Sequence, residues 1–369
     1  MSRPQFTVHD FSGDGGAPRR SAFYSAATLK DKPVPHREWL VDALVPMKTI
    51  TLFSGDGGTG KSLLALQLAV AVASGGMWLG RQVKQGRAIV LSAEDDDDEL
   101  HRRVADVLRS TGGTYDGLAG LTLRSLAGED ALLAVDTQLA LMQTELFAEL
   151  EARAADEQPS LIIIDTLADV YPANENDRAK VRQFIGILRG LALRQRCAVM
   201  LLGHPSLTGL NSGSGMSGST AWNNSVRSRL YHERIIAEGY EPDPDKRLLS
   251  TKKANYGRIG GEIGMTWREG VFIAEAQESA LDALAAGAKA ERVFLRLLAE
   301  FDAQGRHVNA QGGARYAPKV FADHPDSEGC NKKALRIAMD RLLSRGKLTI
   351  QHDGPPSRRV SYIVETGNG

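Results

Sequence analysis

The chain has 369 residues, of which 42% are hydrophobic, 24% charged and 6% aromatic, a soluble globular composition with room for two domains. Lys and Arg number 45 and Asp and Glu number 45, so the formal net charge is zero; a uniformly basic nucleic-acid binder is excluded, and any polyanion must be met by a local patch. Two cysteines, Cys197 and Cys330, exclude a disulfide framework and a four-thiolate zinc site. No apolar run approaches the roughly 20 residues of a membrane span, and the first residues lack a signal-peptide pattern, so no membrane association is expected and the expected location is the cytoplasm.

Residues 1–35 mix Gly, Ser, Arg, Lys and Pro without apolar periodicity and are expected to form a flexible N-terminal arm. From residue 36, apolar and β-branched runs at 49–53, 87–92, 160–164 and 197–202 alternate with helical stretches, the pattern of a central, mostly parallel sheet covered by helices. After Thr220 the runs 229–237, 246–254, 261–267 and 271–274 predict antiparallel strands that extend the sheet edge, so one α/β domain is expected over 36–275. Ala-rich residues 276–290 read as a helical or flexible linker, and 291–369 as a second small domain. There, a helix over 331–345 carries Leu335, Ala338, Met339 and Leu342 on one face, and strands at 347–351 and 358–364 flank Asp353-Gly354-Pro355-Pro356. Helices followed by such a hairpin suggest a winged helix.

Gly55-Asp56-Gly57-Gly58-Thr59-Gly60-Lys61-Ser62 fits the phosphate-loop pattern G-x-x-x-x-G-K-[ST], between the apolar run 50–53 and a helical run that starts at Leu63. The glycines let successive backbone N–H groups turn inward around phosphate oxygens, and the helix start adds its positive end. Lys61 then reaches the β and γ oxygens, Ser62 ligates Mg2+, and residues 55–63 together form the expected nucleotide cradle. A guanine-selective protein adds Asn-Lys-x-Asp, and Asn331-Lys332-Lys333-Ala334 fails at its last position, which leaves ATP as the expected nucleotide.

A second metal ligand is expected at a strand end, and Leu161-Ile162-Ile163-Ile164 leads into Asp165. The run 87–92 leads into Ala93-Glu94-Asp95-Asp96-Asp97-Asp98-Glu99. Glu94 stands first beyond that strand, where a carboxylate can orient water toward a γ-phosphate. For residues 96–99 the expectation is an acid-rich helix start that complements the helix dipole.

These motifs, followed by Leu201-Leu202-Gly203-His204 and by the segment Gly218-Ser219-Thr220 through Arg227, resemble RecA-like ATPases of the plasmid replicative helicase RepA type over about residues 36–275. That resemblance implies a hexamer that binds ATP between neighbouring subunits and moves along single-stranded DNA in its central channel. It makes Glu94 the catalytic glutamate, His204 the γ-phosphate sensor and Arg227 the arginine finger offered to the neighbouring subunit. The bland readings are a strand-end histidine that caps a carbonyl and an arginine in a surface ion pair. Arg229, two residues on, is the other candidate finger, and Lys252, Lys253 and Arg258 are possible further cations of the same kind. The loop 205–219, rich in Gly and Ser, is the expected channel loop for DNA.

Residues 331–359 hold eight Lys and Arg against two Asp, a patch suited to a duplex DNA backbone or to a replication protein. The expected function is an ATP-driven, ring-forming DNA helicase or translocase. The alternatives are a RecA- or RadA-like recombination or repair ATPase, which forms filaments, and an ATP-gated regulatory switch.

Overall fold

A computed structural model of the chain describes residues 23–137, 139–204, 220–237, 239–257, 261–275, 280–353 and 360–366. The loop 205–219, Arg258, Arg358, Arg359 and residues 1–22 of the expected arm lie outside the described residues. The chain divides into two units, Met1–Glu275 and Ala276–Gly369.

The strands of the first unit are β1 (Trp39–Val41), β2 (Val45–Pro46), β3 (Ile50–Gly55), β4 (Met77–Trp78), β5 (Arg81–Gln82), β6 (Ala88–Ser92), β7 (Leu121–Ser125), β8 (Ala134–Asp136), β9 (Leu141–Gln143), β10 (Leu161–Asp165), β11 (Ala198–Gly203), β12 (Ser228–Arg234), β13 (Lys246–Ala254), β14 (Glu262–Arg268) and β15 (Val271–Ala274). Its main helices are α1 (Lys61–Ser74), α2 (Asp97–Thr111), α3 (Glu145–Glu157), α4 (Leu167–Val170) and α5 (Arg178–Arg194), with a short helix Thr220–Ser225 before β12. Nine strands form one sheet in the order β15-β14-β13-β12-β3-β11-β10-β6-β7.

Strand alternation sends side chains to opposite faces of this sheet, and both faces are covered. Ala88, Val90, Leu161, Ile163, Met200 and Leu202 pack with Leu64, Leu68 and Val72 of α1 and Val104 and Leu108 of α2. The intervening Ile89, Leu91, Ile162, Ile164, Val199 and Leu201 pack with Phe147 and Leu150 of α3 and Val181, Phe184 and Leu188 of α5. Each such side chain contributes about 1.5–3 kcal/mol by leaving water, which explains why the apolar runs are continuous and not alternating. α1 is buried nearly all round, whereas α2 buries only Leu100, Val104, Val107 and Leu108 and leaves its charged face to solvent.

The acidic run behaves as a helix start: Asp96 caps α2 by accepting the Glu99 N–H at 2.8 Å, and Asp97, Asp98 and Glu99 fill the first turn. One expectation is corrected. β12 runs parallel to β3, not antiparallel, with Ser228 opposite Thr51 and His232 opposite Gly55; of the four strands expected here, β13, β14 and β15 are the antiparallel ones.

The second unit contains the helices Ala280–Ala303, Ala317–Ala322 and Lys332–Ser344 and the antiparallel pair β16 (Leu348–Asp353) and β17 (Val360–Glu365). Residues 280–290 of the expected linker are thus the first turns of a helix. The unit has its own core, in which Phe294, Leu297 and Phe301 meet Phe321, Leu335, Met339, Leu342 and Ile363. Asn331 caps the third helix through the Ala334 N–H, and Lys332, Lys333, Arg336, Arg341, Arg345 and Lys347 are exposed on or just after it. Among the described residues no helix is long and apolar enough to cross a membrane.

Candidate functional site

β3, β11, β10 and β6 are consecutive neighbours in the sheet, and their carboxyl ends finish level: Gly203 pairs with Ser54, Ile164 with Leu201 and Asp165 with Ser92. Whatever follows each strand therefore enters one crevice, where ligands of open parallel sheets bind. β3 delivers residues 55–62, β11 delivers His204, β10 ends on Asp165 and β6 is followed by Glu94. Lys61, Ser62, Glu94, Asp165 and His204, together with Gly58, Gly60, Leu63, Thr166, Arg103 and Trp267, line a cleft of about 400 Å³.

The loop shape needs two of its glycines. A Cβ on Gly55 would lie 2.1 Å from the His232 carbonyl oxygen of β12, and Gly60 adopts φ +90° with the Phe272 ring 2.6 Å from where a Cβ would stand. Gly60 caps α1, so its first N–H groups open into the cleft without protein partners of their own helix. Lys61 Nζ donates to the Gly55 and Asp56 carbonyls at 2.8 and 2.9 Å and lies 3.4 Å from His204 Nδ1. Burial draws the Lys61 pKa down, and the carboxylates of Asp165, Glu94 and Asp56 oppose it.

Asp165 is 5% exposed, and burial pushes its carboxyl up to about 7. A hydrogen bond from the Ser62 hydroxyl counters that shift, while the Glu94 and Asp95 carboxylates add to it. A hydroxyl and a buried carboxylate crowded by further negative charge form the hard-oxygen donor set that suits a divalent cation, so the residues present fit Mg2+. Glu94 Oε1 lies 3.8 Å from His204 Nε2. Asp95, the next carboxylate, turns away to an ion pair with Arg103, and burial raises its pKa.

The structure thus brings Lys61, Ser62, Leu63, Glu94, Asp165 and His204 together. It does not bring Arg227 to them. Tyr231 and His232 of β12 pair with Ser54 and Gly55, but Ser228 pairs with Thr51, so Arg227 lies at the opposite end of the strand, about 16 Å away by strand rise. Arg227 is half-buried, whereas Arg229 is 4% exposed and donates to the Asn223 Oδ1 at 3.2 Å. Lys253 pairs in register with Arg229 and donates to the Asn223 carbonyl; burial lowers its pKa and the two arginines lower it further. Lys252 instead pairs with Glu233 at 3.4 Å.

Sequence reasoning missed Tyr231, whose hydroxyl donates to Asp56 Oδ1 at 2.7 Å, and Glu175, whose raised pKa reflects burial and is eased by His204. Neither sits in a recognisable spacing, and Tyr231 reaches the loop through tertiary packing.

A family model described as an AAA domain matches residues 17–209, more than half of the chain. The chain belongs to this AAA-domain family. The family match covers the phosphate loop, Glu94, Asp165 and His204 and stops before Arg227. A curated relative, the DNA repair protein RadA of Synechocystis sp., is 29% identical over 169 residues. That alignment spans 44% of this chain and only 30% of the relative's length. Among solved structures, the chain matches the RadB recombinase with a TM-score of 0.42 and 15% identity over 62% of this chain and 91% of that one. A KaiC-like protein from Pyrococcus horikoshii has a TM-score of 0.45 and 13% identity over 65% of this chain and 99% of its own. The first unit of this AAA-domain protein carries its phosphate loop on a central, mostly parallel sheet.

Proposed function

We propose that the protein is an ATP-hydrolysing, DNA-associated ATPase of the recombination and repair class, active as an oligomer with nucleotide held between subunits. The observation that carries the reading is the convergence of Lys61, Ser62, Glu94, Asp165 and His204, from four strand ends, on one cleft. The similarity to a DNA repair protein favours repair or recombination over replication.

In this reading the N–H groups of residues 55–62 and the Lys61 ammonium hold the phosphates. The Ser62 hydroxyl and the Asp165 carboxylate would hold Mg2+, which would supply charge neutralisation on the phosphate oxygens. Glu94 orients a water and accepts its proton as the water oxygen bonds to the γ-phosphorus and the bond to the β–γ bridging oxygen breaks. His204, beside both Lys61 and Glu94, reads whether a γ-phosphate is present and passes that to the chain segment that follows it. Arg227, remote from its own cleft, completes the site of the neighbouring protomer.

A RepA-type hexameric helicase on single-stranded DNA remains the second reading, supported by the Ala93-Glu94-Asp95, His204 and Arg227 pattern. The exposed cations of residues 332–347 favour a winged helix that meets duplex DNA or a partner protein. ATP turnover with and without single-stranded DNA, beside images of the particle with nucleotide, tests these readings. DNA-stimulated turnover on open filaments supports the repair class, closed rings that unwind a forked duplex support the helicase, and turnover indifferent to DNA contradicts both.

A further inference from the structure

Three hydrogen bonds meet at Asp56, one of them from outside the phosphate-loop motif. Its side chain accepts the Tyr231 hydroxyl at 2.7 Å, its carbonyl accepts the Thr59 hydroxyl at 2.9 Å, and the same carbonyl accepts Lys61 Nζ at 2.9 Å. Tyr231 is 4% exposed and stands in β12, paired with Ser54 just before the loop begins. Its neighbour His232 supplies the carbonyl against which Gly55 is packed, and Arg234 Nη2 donates to the Gly57 carbonyl at 3.3 Å. β12 therefore grips the phosphate loop from below over three of its residues.

Asp56 is an awkward residue in a loop that must hold a triphosphate, because a free carboxylate there repels the ligand. A phosphate that draws Lys61 Nζ off the Gly55 and Asp56 carbonyls costs the loop those two hydrogen bonds. The Tyr231 and Thr59 contacts at Asp56 and the Arg234 contact at Gly57 do not depend on Lys61. Burial raises the Tyr231 pKa, so its hydroxyl stays a donor across the working pH range.

Resting on the nucleotide-binding reading above, we infer that Tyr231 is a positioning residue for phosphate binding: it holds the Asp56 carboxylate turned away from the cradle and keeps the loop open after Lys61 moves to the ligand. The residue acts through Asp56 and makes no contact with the reacting atoms.

A double-mutant cycle on the full chain tests this, with Mg·ATP and Mg·tripolyphosphate as probes. Y231F is expected to weaken both ligands about tenfold and to raise the KM for ATP by a similar factor, while kcat at saturating ATP changes less than threefold. In a D56A background the same Y231F change is expected to alter affinity less than twofold, because the group that Tyr231 restrains is gone. Wild-type affinity in Y231F, or an equal loss in both backgrounds, overturns the inference. A loss of kcat that follows thermal stability and leaves KM unchanged also overturns it, since that marks a packing role alone. Failure of the wild-type chain to bind either probe strikes the nucleotide reading instead.

Discussion

Glu94 Oε1 and His204 Nε2 face each other at 3.8 Å although they follow strands that lie on opposite sides of β10. The carboxylate that would orient water is thereby in contact with the imidazole that would sense the γ-phosphate, and that imidazole is in turn 3.4 Å from the Lys61 ammonium. In the proposed reading, hydrolysis and sensing would share one short chain of polar groups.

Glu94→Gln keeps the side-chain shape and removes the proton acceptor. Turnover is expected to fall by about 100-fold or more, the usual worth of a positioned general base, while ATP affinity stays within about threefold. Single-turnover hydrolysis and equilibrium binding check this together. Turnover that survives the change moves the base elsewhere, with Asp95 disfavoured because Arg103 holds it.

Asp165 makes a pH prediction. Burial raises its folded-state pKa from an ordinary 3.8 to about 7, so the folded, nucleotide-free chain binds a proton that the unfolded chain has already released. The stability linked to that proton is full below about pH 4 and is lost as pH rises from about 4 to about 7. Urea melts of wild type and Asp165→Asn are expected to diverge over that window, with the variant gaining relative stability as pH rises. Affinity for Mg2+ has the opposite trend and strengthens through about pH 7, since the metal needs the carboxylate ionised.

Arg227 at the far end of β12 is expected to serve another subunit's cleft. Arg227→Ala should lower turnover by about 10³-fold, the scale of an arginine finger, without loss of ATP binding. Mixed with Lys61→Ala, which keeps its Arg227 but not its nucleotide, activity should rise at least tenfold above either variant alone. No recovery in mixed assemblies contradicts the trans role.

Gly55→Ala tests the close approach of β12 to the phosphate loop. The new methyl meets the His232 carbonyl at 2.1 Å, so a loss of about 1–3 kcal/mol is expected, with weaker nucleotide binding. Gly57→Ala, with nothing within 4 Å of the added atom, should melt near wild type.

Much of the site was legible because its residues follow strand ends whose apolar runs are unmistakable: 161–164 before Asp165, and 87–92 before Glu94. Parallel strands finish level, so chain position alone carries those groups to one edge. β7 went unread, since all five of its residues are only half-buried at the sheet edge and leave no continuous apolar signal. The direction of β12 depends on a crossover, which local pattern does not encode. Tyr231 belongs to the same class: its partner Asp56 is distant in sequence, and nothing near Tyr231 announces the contact.

The central claim is that residues 55–62 hold the phosphates of ATP with Lys61 as their counter-charge. Calorimetric titration of Mg·ATP into the wild-type chain and Lys61→Ala tests it most directly. The account predicts one site per chain with Kd in the range of about 1 μM to 1 mM and at least about 100-fold weaker binding in the variant. No heat of binding in the wild type, or equal affinity in Lys61→Ala, would contradict it.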